Sequence, residues 1–115
     1  MGKDDAIRLR HMLDAAKEAL SFAQGHTRGS LDLNRMLVLA IVKDVEMIGE
    51  AASKVTKGCQ DQHPEIPWSS IVAMRNRLIH GYFDIDLDRV WDTVTDDLPP
   101  LITTLNKITS SEEKE

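Results

Sequence analysis

The sequence has few of the residues that mark secreted, membrane-spanning or metal-binding proteins. Its single cysteine, Cys59, cannot form an internal disulfide, so we expect a cytoplasmic protein. No apolar run approaches membrane-spanning length, and Met1–Asp5 does not have the pattern of a secretory leader. Cys59 and His63 are spaced as two metal ligands could be, but two ligands make no zinc site and a polar loop is the simpler interpretation. We therefore predict no membrane segment, no metal and no cofactor.

Positive charge is also in short supply, with 14 Lys and Arg against 19 Asp and Glu and a net charge of −5. This balance opposes broad nonspecific binding to nucleic acid, so any nucleic-acid role needs a local basic pocket. A chain of 115 residues is long enough for one hydrophobic core. We assign residues 1–109 to a single domain and residues 110–115 to a disordered polar tail.

Apolar residues recur at helical spacing, and no stretch has the two-residue period of a strand. The predicted helices run from about Asp4 to Gln24, from about Asp32 to Lys57, from Pro67 through the following apolar residues, and from Asp84 or Asp86 onward. A loop is expected from Cys59 to Pro67, and a kink just before Pro99-Pro100. The pattern predicts an all-α, up-and-down bundle of four or five helices.

The predicted second helix has an unusual distribution of apolar residues. Its first half is apolar nearly all round, through Met36, Val38, Leu39, Ala40 and Val42. A helix of this kind is buried on more than one side, either at the centre of a bundle or against another chain. Further along, the small residues Gly49, Ala51 and Ala52 would allow another helix to approach closely.

The densest group of functional side chains lies in the stretch from Met74 to Phe83. A helix through it should stop at Gly81, because glycine accepts the left-handed conformation common at helix ends. His80 would then occupy the carboxyl-terminal turn. Asn76 lies four residues before His80, so the two should project on nearly the same side, with Arg75 flanking them. A cation, an amide and an imidazole near one helix end suit a phosphate group.

Simpler interpretations exist for each of these residues. An arginine near a histidine at a helix end is usually a surface pair or a carbonyl cap. For Asn76, a functional role and a structural role in capping or backbone hydrogen bonding are favoured about equally. Arg77 points elsewhere on the helix and is expected to be solvated or ion-paired. Tyr82 could pack its ring over the helix end, and Glu50 could pair with an arginine between helices.

A family resemblance shifts this balance. The segment Arg75-Asn76-Arg77-Leu78-Ile79-His80 fits the arginine, four residues, histidine motif of the HEPN superfamily. With Gly81-Tyr82-Phe83 following, the chain resembles the HepT-like branch. The similarity continues through Ile48-Gly49-Glu50-Ala51-Ala52, Ile66-Pro67-Trp68, Val90-Trp91 and Asp97-Leu98-Pro99. It covers about Leu31 to Leu101, most of the sequence.

The resemblance implies a homodimeric HEPN bundle that acts as a metal-independent ribonuclease toxin of a type II toxin–antitoxin system. It implies catalytic roles for Arg75 and His80 in a cleft shared by two subunits. We add Asn76 as a supporting residue because of its position one helical turn before His80. It also implies a nucleotidyltransferase antitoxin as partner, which in some pairs attaches adenylate to the tyrosine that corresponds to Tyr82. RNA is the expected substrate.

The chemistry of these residues agrees with that activity. Cleaving RNA without a metal needs a base, an acid and positive charge on the phosphorane oxygens. Histidine can supply the first two near neutral pH, and arginine binds phosphate through paired hydrogen bonds. One chain offers one well-placed histidine, whereas a two-fold dimer offers two. The alternatives are a noncatalytic HEPN module that binds a nucleotide or regulates a nucleotidyltransferase, and a purely structural helical dimer. The intact Arg75, His80 and Tyr82 set favours the enzyme.

Overall fold

A computed structural model of the chain describes residues 1–80 and 84–113. These residues form helices and connecting turns, with one isolated antiparallel bridge between Ile79 and Ile85. The predicted all-α class is therefore confirmed. The α-helices are α1 (Lys3–Ala23), α2 (Ser30–Leu33), α3 (Arg35–Ser53), α4 (Lys57–Gln62), α5 (Trp68–Val72), α6 (Met74–Leu78), α7 (Leu87–Asp92) and α8 (Leu98–Glu113).

The three long helices α1, α3 and α8 build the bundle, with α1 packed against both of the others. Asp5 at the start of α1 contacts Thr56, just beyond the end of α3, so these two helices are antiparallel. The core face of α1 is formed by buried apolar side chains, whereas Leu20 on the same helix is exposed; the buried residues are Leu9, Met12, Leu13, Ala15, Ala16, Ala19 and Ala23. Each large aliphatic side chain fully buried here contributes about 1.5–3 kcal/mol.

The predicted second helix is interrupted near its start. Asn34 has a non-helical backbone, and its side-chain oxygen accepts the Leu37 N–H at 3.0 Å. Asparagine is among the best residues for capping a helix start, because its side chain satisfies an amide that the helix leaves unpaired. The expected helix from Asp32 to Lys57 is thus α2 followed by α3, which ends at Ser53.

The loop expected from Cys59 is partly helical. Thr56 caps α4, with its hydroxyl oxygen accepting the Cys59 N–H at 3.3 Å and its hydroxyl group donating to Asp5 at 2.6 Å. Cys59 is buried in the core. The cap and this burial hold Lys57–Gln62 as a helix, although the segment contains Gly58, a poor helix former.

Helix α5 approaches α3 at Gly49, and this contact sets the position of the segment that follows. A Cβ atom at Gly49 would lie 3.3 Å from the Ile71 carbonyl oxygen and 3.4 Å from that of Val72. A side chain here would push α5 away from α3. The expectation that small residues permit a close approach is confirmed at this position.

The last helical region begins at Asp86, one of the two predicted caps, whose side chain accepts the Arg89 N–H at 3.1 Å. Between α7 and α8, Thr93–Asp97 adopts π-helical geometry, with the Leu98 N–H bonded to the Thr93 carbonyl. This widened turn lies where the kink was predicted, because the prolines that follow remove two helical donors.

Helix α8 continues to Glu113, beyond Ser110 where a disordered tail was expected. Ile108 and Thr109 are buried, and the Thr109 hydroxyl donates to the Leu105 carbonyl at 2.8 Å. Packing of these last core residues supports the helical conformation of the polar turn that follows. None of the helices in the described part of the chain is long and apolar enough to cross a membrane.

Candidate functional site

The helix that begins the arginine–histidine motif is shorter than predicted. Helix α6 ends at Leu78, and Ile79 has extended backbone angles, with φ −121° and ψ 120°. His80 therefore lies beyond the helix, and the prediction that it occupies a carboxyl-terminal turn is wrong. Gly81, the expected stop, lies outside the described residues.

An antiparallel return, in which residues 78–80 pair with residues 84–86, replaces the expected last helical turn. The His80 N–H donates to the Asp84 carbonyl and the Asp86 N–H donates to the Leu78 carbonyl, both at 2.7 Å. Ile79 and Ile85 pair between these bonds and pack against the core. These two backbone hydrogen bonds satisfy polar groups that the helix end would otherwise leave unpaired. The β-branched isoleucine side chains also favour extended backbone. This return ends helix α6 and leads directly into α7.

Arg75 is held by a residue from a distant part of the chain. Its Nε donates to Glu46 Oε1 on α3 at 3.1 Å, and the Arg75 side chain is 50% exposed. Glu46 was not singled out from the sequence. Because this contact uses Nε, Glu46 leaves the two terminal nitrogens of Arg75 unengaged, and a guanidinium can bind a phosphate group through two parallel hydrogen bonds.

His80 lies beside a second carboxylate. Its Nε2 is 3.7 Å from Asp86 Oδ2, which is within ion-pair range but too long for a hydrogen bond. Asp86 Oδ1 also accepts the Arg89 N–H, so the capping of α7 fixes the carboxylate that faces the imidazole. The His80 side chain is 57% exposed and can be reached by a substrate.

The other candidates are less closely involved. Asn76 is exposed, and its expected alignment with His80 fails because His80 is not helical. The Arg77 Nη2 donates to the Ser70 carbonyl at 3.1 Å. Glu50 pairs with Lys54 at 3.3 Å, not with an arginine. Tyr82 lies outside the described residues, so its predicted role is neither supported nor opposed by this geometry.

The packing of several helices creates the arrangement. Helix α3 contacts α5, α6 and α7, so Glu46 and Asp86 are brought to the same region as the motif. The sequence offered a partial signal for Glu46, which lies one helical turn before Glu50 on the exposed stripe of α3. Asp86 was recognised only as a cap. Within residues 1–80 and 84–113, no group of three His, Cys, Asp or Glu side chains is placed to hold a metal ion.

Comparison with known proteins identifies relatives of the whole domain. The family model described as HepT-like, Ribonuclease HepT-like, matches residues 12–108. A candidate RNase of Methanocaldococcus jannaschii is 31% identical, covering 86% of this chain and 91% of its own length. A protein named "Probable ribonuclease HepT" from Thermococcus cleftensis is 42% identical, covering 54% of this chain and 56% of its own length. A candidate RNase of Caldanaerobacter subterraneus subsp. tengcongensis is 29% identical, with coverages of 91% and 94%. No solved structure matches the chain significantly.

Proposed function

Because the chain belongs to the HepT-like ribonuclease family, we propose that it is a metal-independent endoribonuclease whose site contains Arg75 and His80 from two subunits. The observation that carries the proposal is that Arg75 and His80 are both exposed and that each lies beside a carboxylate. Glu46 holds the arginine by Nε, and Asp86 lies beside the imidazole. A guanidinium fork and a proton-transfer group are thus both exposed to solvent.

The roles follow from the demands of RNA cleavage. His80 of one subunit removes the 2′-hydroxyl proton, and its counterpart protonates the leaving 5′-oxygen. Arg75 neutralises the charge that develops on the phosphorane oxygens. Since a base and an acid are needed together, one histidine per chain favours a composite site.

A homodimer would also cover an exposed apolar surface. Leu33 is 91% exposed and Met36 is 80% exposed, and Leu39 lies one turn further along α3. Leaving large apolar side chains in water is unfavourable, so such a surface favours association. The same helix carries Glu46, and a two-fold contact along α3 would bring two Arg75–Glu46 pairs towards a common cleft.

The direct test is incubation of purified protein with defined RNAs in the presence of a chelator. We expect the parent protein to cleave, His80→Ala to be inactive, and Arg75→Lys to be severely impaired because an ammonium loses the bidentate geometry. Arg77→Lys is the matched control, since Arg77 contacts the Ser70 carbonyl and not Glu46. Normal cleavage by the His80 variant, or a requirement for a divalent metal, would contradict the mechanism.

We further propose that the protein is the toxin of a type II toxin–antitoxin pair, neutralised by a nucleotidyltransferase that adenylates Tyr82. The support is the family resemblance and the position of Tyr82 two residues after His80. Adenylate there would add negative charge beside Arg75 and compete with RNA phosphate. Intact-mass analysis after incubation with the partner and ATP should show one adenylate on the parent protein and none on Tyr82→Phe. Equal modification of both proteins would remove Tyr82 from this role.

A second candidate function is a noncatalytic module that regulates the nucleotidyltransferase. The carboxylates of Glu46 and Asp86 beside Arg75 and His80, together with the net charge of −5, favour it because they reduce attraction to RNA. The chelator experiment separates the two functions. A regulatory module would leave RNA intact but change the transferase rate of its partner.

A further inference from the structure

A groove outside the Arg75–His80 site lies between α1 and α3. Arg8 and His11 line it from α1, and Lys54 lines it from the end of α3. Met47, Glu50 and Ala51 of α3 complete the lining. The volume is about 360 Å³, within the usual range for a small-ligand site. We refer to it as the α1–α3 groove.

The charges of the α1–α3 groove differ from the acidic balance of the whole chain. Two permanent cations and one histidine surround a single carboxylate, Glu50, which pairs with Lys54 at 3.3 Å. Within the described part of the chain, neither Arg8 nor His11 has an acidic group at ion-pair distance. The nearby Asp5 carboxylate is bound to Thr56 instead. The groove is therefore a local basic pocket of the kind that an acidic nucleic-acid-binding protein requires.

One side of α3 connects the groove with the candidate catalytic site, since Glu46 contacts Arg75 and both Glu50 and Lys54 line the groove. Glu46, Glu50 and Lys54 are spaced four residues apart, so they lie along one stripe of α3. At 1.5 Å per residue, the helix rises about 12 Å from Glu46 to Lys54. A stacked strand rises about 3.4 Å per nucleotide, so about three to four nucleotides span this distance.

We propose that the α1–α3 groove binds a phosphate and the adjoining base of the RNA, a few nucleotides from the bond that is cut. This inference rests on the proposed ribonuclease function and adds a binding subsite to it. Arg8 provides a fork for phosphate oxygens, Lys54 adds positive charge, and His11 offers a ring nitrogen for hydrogen bonding. Met47 is exposed beside Ala51 and offers a polarisable surface for the face of a base.

Binding is measured in the His80→Ala background so that the RNA stays intact. The probe is a fluorescein-labelled single-stranded RNA of about 12 nucleotides, followed by anisotropy. Arg8→Glu with Lys54→Glu should weaken binding about fivefold near 0.1 M salt, as expected for one lost phosphate contact. The slope of log K against log salt should become shallower by about 0.7, the value for one phosphate on a single strand.

The matched control is Lys17→Glu with Lys107→Glu, which changes the net charge equally at exposed positions outside the groove. Arg8→Gln with Lys54→Gln provides a milder pair should charge reversal disturb folding, as judged by thermal melting. In the active protein, the groove substitutions should raise KM for the long RNA and leave kcat and cleavage of a dinucleotide unchanged.

The outcomes separate this inference from the proposed function. If the parent protein cleaves RNA but neither groove double variant weakens RNA binding, the groove is not an RNA subsite and the ribonuclease proposal still stands. An equal loss of binding in the Lys17 and Lys107 control would lead to the same conclusion. Groove-dependent RNA binding by a parent protein that does not cleave would support the groove and overturn the ribonuclease. Absence of RNA binding by the His80→Ala protein would refute the proposal that the groove binds RNA.

Discussion

Asp44 makes a strong prediction about stability, because its carboxyl group is buried between α1 and α3 without full hydrogen bonding. The residue is 1% exposed, and Oδ2 has no hydrogen-bond partner in the part of the chain described. Burial, followed by the hydrogen bond with Glu18 and repulsion from its charge, raises the pKa of Asp44 from 3.8 to about 7. The folded protein thus holds a proton that the unfolded chain releases.

The sign of the pH dependence follows directly. Between pH 3.8 and about 7 the folded state binds more protons, so the free energy of unfolding falls as pH rises through this window. At about 1.4 kcal/mol per pH unit, the loss above the window is at most about 4 kcal/mol. Glu18 is exposed, so water screens its interaction with Asp44. We therefore expect the free energy of unfolding to fall by about 2 kcal/mol across this window.

Asp44→Asn removes the titration and supplies an N–H that can donate to Glu18. The variant should be about 2 kcal/mol more stable than the parent near pH 8 and no more stable near pH 4. The assay is urea unfolding followed by circular dichroism at constant protein concentration, at both pH values. A variant that is less stable near pH 8, or that keeps the parental pH slope, would refute the reasoning.

Asp5→Asn is the matched control, with the opposite sign. Thr56 donates to both oxygens of Asp5, from its hydroxyl at 2.6 Å and its N–H at 2.9 Å, and these bonds lower the pKa of the carboxyl group. The stabilisation is present above the ordinary pKa and lost as pH falls through the lowered one. The substitution should therefore cost about 1–3 kcal/mol near pH 8 and little in strong acid.

Three further predictions concern the site, the dimer and the packing of α5. Glu46→Gln should slow RNA cleavage about tenfold, because a neutral amide orients Arg75 less firmly; faster cleavage would show instead that Glu46 restrains the arginine. Met36→Glu should convert a dimer to a monomer in light scattering, and an unchanged mass would place the dimer contact elsewhere. Gly49→Ala should destabilise by about 1–3 kcal/mol through crowding of α5 in thermal unfolding, whereas Gly58→Ala, with open space around it, should not.

Several features of the fold could be predicted because they depend on residues close together in the chain. Helical spacing of apolar residues indicated an all-α domain, and Asp86 was one of two expected caps. The consecutive prolines Pro99-Pro100 indicated an irregular turn before them, since proline cannot supply a helical N–H. Arg75 and His80 stood out because of their spacing and flanking residues.

The sequence by itself therefore determined the helical class, the position of the motif, the cap at Asp86 and the irregular turn before Pro99-Pro100, all of which are local properties. Tertiary structure decided where α6 ends, because pairing of Ile79 with Ile85 competes with another helical turn. It also decided which carboxylate holds Arg75, since Glu46 is distant in the chain and reaches it only through packing of α6 on α3. The basic groove between α1 and α3 has the same origin. Local spacing cannot reveal such contacts, because they depend on how helices are oriented when they bury a common core.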